Sequence, residues 1–199
     1  MTTGNIFVIS APSGAGKSTL VGALCEKDQN IKVSISHTTR DKRPGDKHGE
    51  HYYFIEKHEF EHMLKKNEFL EHANVYDNYY GTHKTTLLTL LNKGHDIILE
   101  IDHQGAMQIR KLIPEAILIY VLPPSLSELR NRLQKRATDS IQVIEKRLAL
   151  ALNDIAYAKY FDFAVINDDF NLAMSELYSI IMVHRLKAKH ILAKWNSTF

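Results

Sequence analysis

The stretch Ala11-Pro12-Ser13-Gly14-Ala15-Gly16-Lys17-Ser18-Thr19 holds the residue types needed to grip a chain of phosphates. Glycines at 14 and 16 let the backbone come close to phosphate oxygens, where a Cβ would collide. The peptide N–H groups and the N-terminus of a following helix then face the anion. Lys17 supplies a point charge for the outer phosphates, and the Ser18 hydroxyl can help hold Mg²⁺. An apolar run, Ile6-Phe7-Val8-Ile9, leads in, and Leu20-Val21-Gly22-Ala23-Leu24 leads out. Strand, turn and helix together match a P-loop better than a generic glycine-rich turn. The usual pattern opens with glycine where this chain has Ala11, a change that is tolerated if φ there is negative.

Three further groups could act on the same phosphates. In Glu100-Ile101-Asp102, residues two apart share one side of a strand, so both carboxylates lie at the C-terminal end of a buried strand. An Asp after such a run is the usual Mg²⁺-side partner of a P-loop. The loop Ser36-His37-Thr38-Thr39-Arg40-Asp41-Lys42-Arg43-Pro44-Gly45 has two arginines three apart. With Tyr52 and Tyr80 it suits a clamp on a phosphate dianion, or it is an ordinary basic surface loop. Leu126, Leu129 and Leu133 form a helical stripe with Arg132 and Arg136 on one flanking ridge, and Arg147 follows on the next helix. These arginines fit either a lid over a transferring phosphoryl group or a solvated basic face.

Other features read blandly. His58-Glu59-Phe60-Glu61-His62 matches a zinc-peptidase pattern, but no third ligand follows at a zincin-like spacing, and a solvated helix face accounts for it. Lys187, Lys189, His190 and Lys194 beside Leu186, Ile191, Leu192 and Trp195 read as an amphipathic closing helix packed on a sheet. Cys25, the single cysteine, reads as a small core residue in a reducing compartment.

The elements that must carry these groups alternate. Strands are expected at 6–10, 32–36, 51–55, 69–75, 96–101, 116–122 and 163–166. Helices are expected at 17–27, 57–66, 84–92, 104–112, 125–135, 141–158 and 171–192, with 37–50 a loop and 79–81 a turn. Such alternation after a P-loop implies an α/β fold, a parallel sheet flanked by helices on both faces. The expected division is a core of 1–34, 84–124 and 151–199, an inserted unit of 35–83 and a lid of 125–150. At 199 residues and 44% hydrophobic, the chain can bury one sizeable core. A net charge of +2 makes no case for nucleic acid or an anionic membrane, and no apolar run is long enough to span one. The expected location is cytoplasmic.

Ordered motifs from about Asn5 to the last helix give the chain a family likeness. They are Pro-Ser-Gly-Ala-Gly-Lys-Ser at 12–18, Ser-His-Thr-Thr-Arg at 36–40, Arg-Pro-Gly at 43–45, Gly-Glu-His-Tyr at 49–52 and Asn-Glu-Phe-Leu-Glu at 67–71. Asn-Tyr-Tyr-Gly-Thr at 78–82, Leu-Glu-Ile-Asp-His-Gln-Gly at 99–105, Pro-Pro-Ser at 123–125 and Val-Ile-Asn-Asp-Asp at 165–169 continue the series. In these the chain resembles the guanylate kinases, bacterial-type P-loop nucleoside monophosphate kinases.

The resemblance implies Mg²⁺-dependent transfer from ATP to GMP, and to dGMP, giving ADP and GDP in purine nucleotide metabolism. It implies that Ala11 to Thr19 bind ATP, that Arg40, Arg43, Tyr52 and Tyr80 hold the GMP phosphate, and that Ser36, Glu71, Thr82 and Asp102 read guanine, with Glu100 beside them. Ser18 and Asp102 would be the metal-side groups. Lys17, Arg40, Arg132, Arg136 and Arg147 would serve the transfer itself, and Asn167 would lie near the adenine. A carboxylate at Glu71 suits guanine, whose N1–H and N2–H₂ are adjacent donors. Adenine would leave buried groups unpaired, and such sites discriminate by up to ~10⁴-fold. Ala137 stands where the family commonly has Gly. A kinase of phosphorylated sugars and a non-catalytic phosphopeptide-binding module are the alternatives; the four base readers speak against the first and the intact P-loop against the second. Oligomeric state is left open, a homodimer being compatible.

Overall fold

The computed structural model describes residues 4–75, 77–135 and 141–196. Arg136, Ala137 and the expected helix start at Thr138-Asp139-Ser140 lie outside them. The first half of the chain runs β1 (Ile6–Ser10), α1 (Lys17–Lys27), β2 (Ile31–Val33), β3 (His37–Thr38), β4 (Tyr53–Phe54), α2 (Lys57–Lys65), β5 (Phe69–Val75), β6 (Asn78–His83) and α3 (Lys84–Asn92). The second runs β7 (Asp96–Glu100), α4 (His103–Leu112), β8 (Ile117–Leu122), α5 (Leu126–Lys135), α6 (Ile141–Ile155), a 3₁₀ turn (Ala158–Tyr160), β9 (Phe163–Ile166), α7 (Phe170–Arg185) and α8 (Ala188–Asn196).

The larger sheet is parallel throughout, in the order β2-β7-β1-β8-β9. Its central strands are near-continuous apolar runs because helices cover both faces. Alternate residues of β1 feed two cores. Phe7 and Ile9 join Leu20 and Leu24 of α1 and Leu177 and Ile181 of α7 on one face. Ile6 and Val8 join Leu87 of α3 and Ala106 and Ile109 of α4 on the other. The smaller sheet, β4-β3-β6-β5, is drawn wholly from residues 37–83, so the expected insertion has a sheet of its own. Among the described residues no helix is long and apolar enough to cross a membrane.

Several local expectations need correction. β2 starts at Ile31 and stops at Val33, because Ser34 and Ser36 lead off toward the smaller sheet, where the Ser36 carbonyl accepts from Tyr53 N at 2.9 Å. The expected loop 37–50 contains β3, and the expected turn at Tyr79-Tyr80-Gly81 is the middle of β6, paired to both β3 and β5. A Cβ on Gly81 would lie 2.8 Å from the Phe69 ring, so glycine here serves close packing rather than a turn. β7 ends at Glu100, and Asp102 is the N-cap of α4 rather than a strand residue. The expected last helix breaks at Leu186-Lys187 into α7 and α8, and α8 exposes Ile191, Leu192 and Trp195 instead of covering the sheet.

Candidate active site

β1 and α1 enclose the loop 11–16, with Gly14 and Gly16 at φ 94° and 90°. Ala11 is not among the positive-φ residues, and its methyl packs against the main core, which accommodates alanine there. The N-cap of α1 is Gly16, with no side chain to compete for the first-turn N–H groups. The loop is held tightly from outside. The buried Asn167 amide donates to the Ala15 carbonyl at 2.7 Å, and a Cβ on Gly16 would run into that amide. A Cβ on Gly14 would meet Leu129 and Leu133 of α5 at 3.1 and 3.2 Å. Arg132 of α5 donates from Nη2 to the Asn167 carbonyl at 3.1 Å and from Nε to Glu128 at 3.1 Å. Pro12 is buried, Ser13 half-buried and Thr19 exposed. Asn167 thus braces the P-loop itself, a role its sequence context did not reveal.

Lys17 reaches across to the end of β7. Its Nζ lies 3.3 Å from the Ile101 carbonyl and 4.0 Å from Glu100 Oε1, and its side chain is 19% exposed. Burial lowers its pKa, while Glu100 and Asp102 act in the opposite sense. The Ser18 hydroxyl donates to Glu100 Oε1. Ser18 therefore meets Glu100 and not Asp102, whose oxygens accept from Gly105 N at 2.9 Å and Gln104 Nε2 at 3.0 Å. The expected sharing of a metal by Ser18 and Asp102 is not what the geometry brings together. A hydroxyl and a carboxylate oxygen fit Mg²⁺, which takes few protein ligands and completes its shell with water and phosphate oxygens. Among the described residues no three His, Cys, Asp or Glu side chains gather as a metal cluster, and the His58 and His62 side chains are exposed on α2.

The smaller sheet presents a second set. Glu71 is 2% exposed and accepts from the Thr82 hydroxyl at 2.6 Å. Burial raises its pKa to about 7; the Thr82 hydrogen bond opposes the shift and Asp102 adds to it. Its other oxygen lies over Gly105, where a Cβ would come closer than 3.0 Å. Only glycine in the first turn of α4 leaves room for this carboxylate, a requirement that was not legible in the sequence. Gln108 of α4 accepts from His72 N at 3.2 Å and donates to His72 O at 2.7 Å, pairing the open edge of β5 as a strand would. Ser36 is buried.

Arg40 lies 5.6 Å from the Tyr52 ring centre and donates to Asp46 at 2.8 Å. Asp46 also accepts from Arg43 N at 2.8 Å, which folds the basic loop around one carboxylate, while the Arg43 side chain is exposed. The basic loop is thus an ordered structure, and Asp46 is the residue sequence reading missed. Tyr52 and Tyr80 meet edge to face at 5.8 Å. Burial, then Glu100 and Tyr80, push the Tyr52 pKa up to about 12, with Arg40 opposing. Arg147 is half-buried on α6, and Arg130 pairs with Glu145 rather than joining a free basic face.

The glycine loop, Lys17 and the Ser18–Glu100 pair suit a bound polyphosphate, and the buried Glu71 carboxylate in the smaller sheet suits a ligand with adjacent N–H donors. The sequence model of the guanylate kinase family matches residues 3–184. A guanylate kinase of Hydrogenovibrio crunogenus is 52% identical, covering 92% of this chain and 89% of its own. That of Coxiella burnetii is also 52% identical, covering 94% and 91%. The crystal structure of guanylate kinase from Anaplasma phagocytophilum superposes with a TM-score of 0.79 at 31% identity, over 94% of this chain and 89% of that one. With a P-loop nucleoside monophosphate kinase fold and relatives of this closeness along nearly its whole length, the chain belongs to the guanylate kinase family.

Proposed function

We propose that this chain transfers the γ-phosphoryl group of ATP to a 5′-phosphate oxygen of GMP, and of dGMP, giving ADP and the nucleoside diphosphate. The observation that carries this reading is the Glu71–Thr82 pair, a buried carboxylate that accepts from the Thr82 hydroxyl at 2.6 Å and from the Thr82 backbone N–H, with acceptor capacity left over. Guanine offers two adjacent donors that fill it. The Thr82 hydroxyl and Ser36 stand beside that edge of the base, and Asp102 holds the α4 turn beneath it through Gly105.

Arg40, set by Asp46, and Arg43, Tyr52 and Tyr80 take the GMP phosphate. Residues 11–19 take the ATP phosphates through backbone N–H groups, with Lys17 at the outer end. Ser18, with Glu100 beside it, would hold Mg²⁺, which when bound would supply charge neutralisation at the donor phosphates. The acceptor oxygen is already anionic, so no strong general base is required. Lys17, Arg132 and Arg147 stabilise the charge of the transferred group, and Arg136 belongs to the same set by sequence. Rate enhancement then comes from positioning and charge. Residues 35–83 form the GMP-binding unit, 125–150 the lid, and the remainder the core; the separate sheet within 37–83 supports that division.

Phosphorus NMR of a mixture of chain, ATP, Mg²⁺ and GMP tests the proposal. New β-phosphate resonances from GDP and ADP, rising together and absent without GMP, are expected. Free phosphate alone would mean ATP hydrolysis and would overturn the reading.

A further inference from the structure

We propose that His103 is a positioning residue for the transfer: through Asp154 it fixes the rotational setting of α6 and hence the placement of Arg147. The inference rests on the reading of Arg147 as a phosphate-facing arginine. His103 opens α4, directly after the cap Asp102 and two residues before the Gly105 that floors the Glu71 pocket. Its ring turns the other way. His103 Nδ1 lies 3.2 Å from Asp154 Oδ1, and the ring stacks on Tyr157 at 4.0 Å between centres with planes 26° apart. Asp154 lies in the last turn of α6 and Tyr157 just beyond it, at the end away from Arg147.

Asp154 and Arg147 are seven residues apart on α6, about two turns, so they share one side of the helix and lie about 10 Å from each other along it. Ala151, between them, packs with Leu148 against Leu129 and Leu133 of α5, the two side chains that touch Gly14 of the P-loop. An apolar seam of four residues and the Arg130–Glu145 pair set α6 against α5 toward its start, and the His103 contacts act at its other end. The 3.2 Å contact of His103 with Asp154 and the ring stack on Tyr157 hold that end. They tie it to the same turn of α4 whose other side holds Glu71, so the GMP pocket and the arginine helix share one fixed point. The field of Asp102 reaches Asp154 as well, after burial and opposite to His103.

A double-mutant cycle tests this. His103→Ala is expected to lower kcat about tenfold with KM for GMP changed less than about twofold, a split that simple loss of stability would not give. In an Arg147→Ala background the same substitution is expected to cost less than about twofold, because the group it positions is gone. His103→Gln, whose amide can still reach Asp154, is expected to recover most of the rate. Equal losses in both backgrounds, or an unchanged kcat, would overturn the inference. If Arg147→Ala alone leaves kcat intact, the phosphate-facing reading fails and the inference falls with it. Amide exchange over 147–155 separates the two failures: the positioning claim requires faster exchange there in His103→Ala whatever the activity.

Discussion

Burial of Glu71 gives a prediction with a definite sign. The carboxyl ordinarily titrates near 4.5, and in the folded chain it is raised to about 7. Below about pH 4.5 it is neutral folded and unfolded, and it contributes nothing to stability. Between about 4.5 and 7 the unfolded chain loses its proton while the folded chain keeps it, so stability falls as pH rises. Above about 7 the full cost is present, about 3 kcal/mol at 1.36 kcal/mol per unit. Glu71→Gln keeps the shape and a partner for Thr82 but removes the charge. Without nucleotide it should match the parent in melting temperature near pH 4 and exceed it near pH 8 by about 6 to 12 °C. The same variant should lose its preference for GMP over AMP, since a primary amide cannot accept from both guanine donors. Calorimetry at the two pH values reads the first effect and initial rates the second. A melting difference that does not grow with pH would refute the buried-carboxylate account.

Lys17→Ala should lower kcat by at least about 10²–10³-fold while circular dichroism shows an intact fold, because the lysine serves transferred charge and not the core. Asn167→Ala leaves the Ala15 carbonyl without its 2.7 Å donor, at about 1–3 kcal/mol. It should raise KM for ATP more than KM for GMP, which steady-state kinetics would show. At the opposite end of β7, Arg185 joins Asp96 at 2.5 Å and Asp28 at 2.6 Å. Arg185→Met would take the cation from the buried Asp96 and leave it the hydrogen bonds from Asn5 at 2.9 and 2.7 Å, lowering urea stability by about 1–3 kcal/mol, with KM values unchanged in the protein that remains folded.

The donor half of the site was legible because its signals are local. Two glycines at positive φ, a lysine and a hydroxyl follow one another between an apolar strand and a helix. The parallel sheet was legible for the same reason, its central strands being continuous apolar runs. What escaped the sequence depends on distant partners. Tyr79-Tyr80-Gly81 has turn composition, yet pairing on both sides and the Phe69 and Phe60 rings against Gly81 make it strand. Asp102 alternates with Glu100 in sequence but is claimed by the N–H of Gly105 as a helix cap, which parts the expected carboxylate pair. The last helix carries no glycine or proline at its break. It ends where Arg185 is held by Asp28 and Asp96, and where His190 turns back to meet His184 at 5.0 Å. Asp46 carried no signal beyond lying in a charged loop, although it sets Arg40.

The central claim is that the buried Glu71 pocket selects the acceptor for a phosphate passed from the P-loop. The most direct measurement is kcat/KM from coupled ADP release with ATP and Mg²⁺ across GMP, dGMP, AMP, CMP and UMP. The account predicts turnover of GMP and dGMP with a margin over AMP approaching ~10⁴-fold. AMP used within about tenfold of GMP, or no ADP release dependent on GMP, would contradict it.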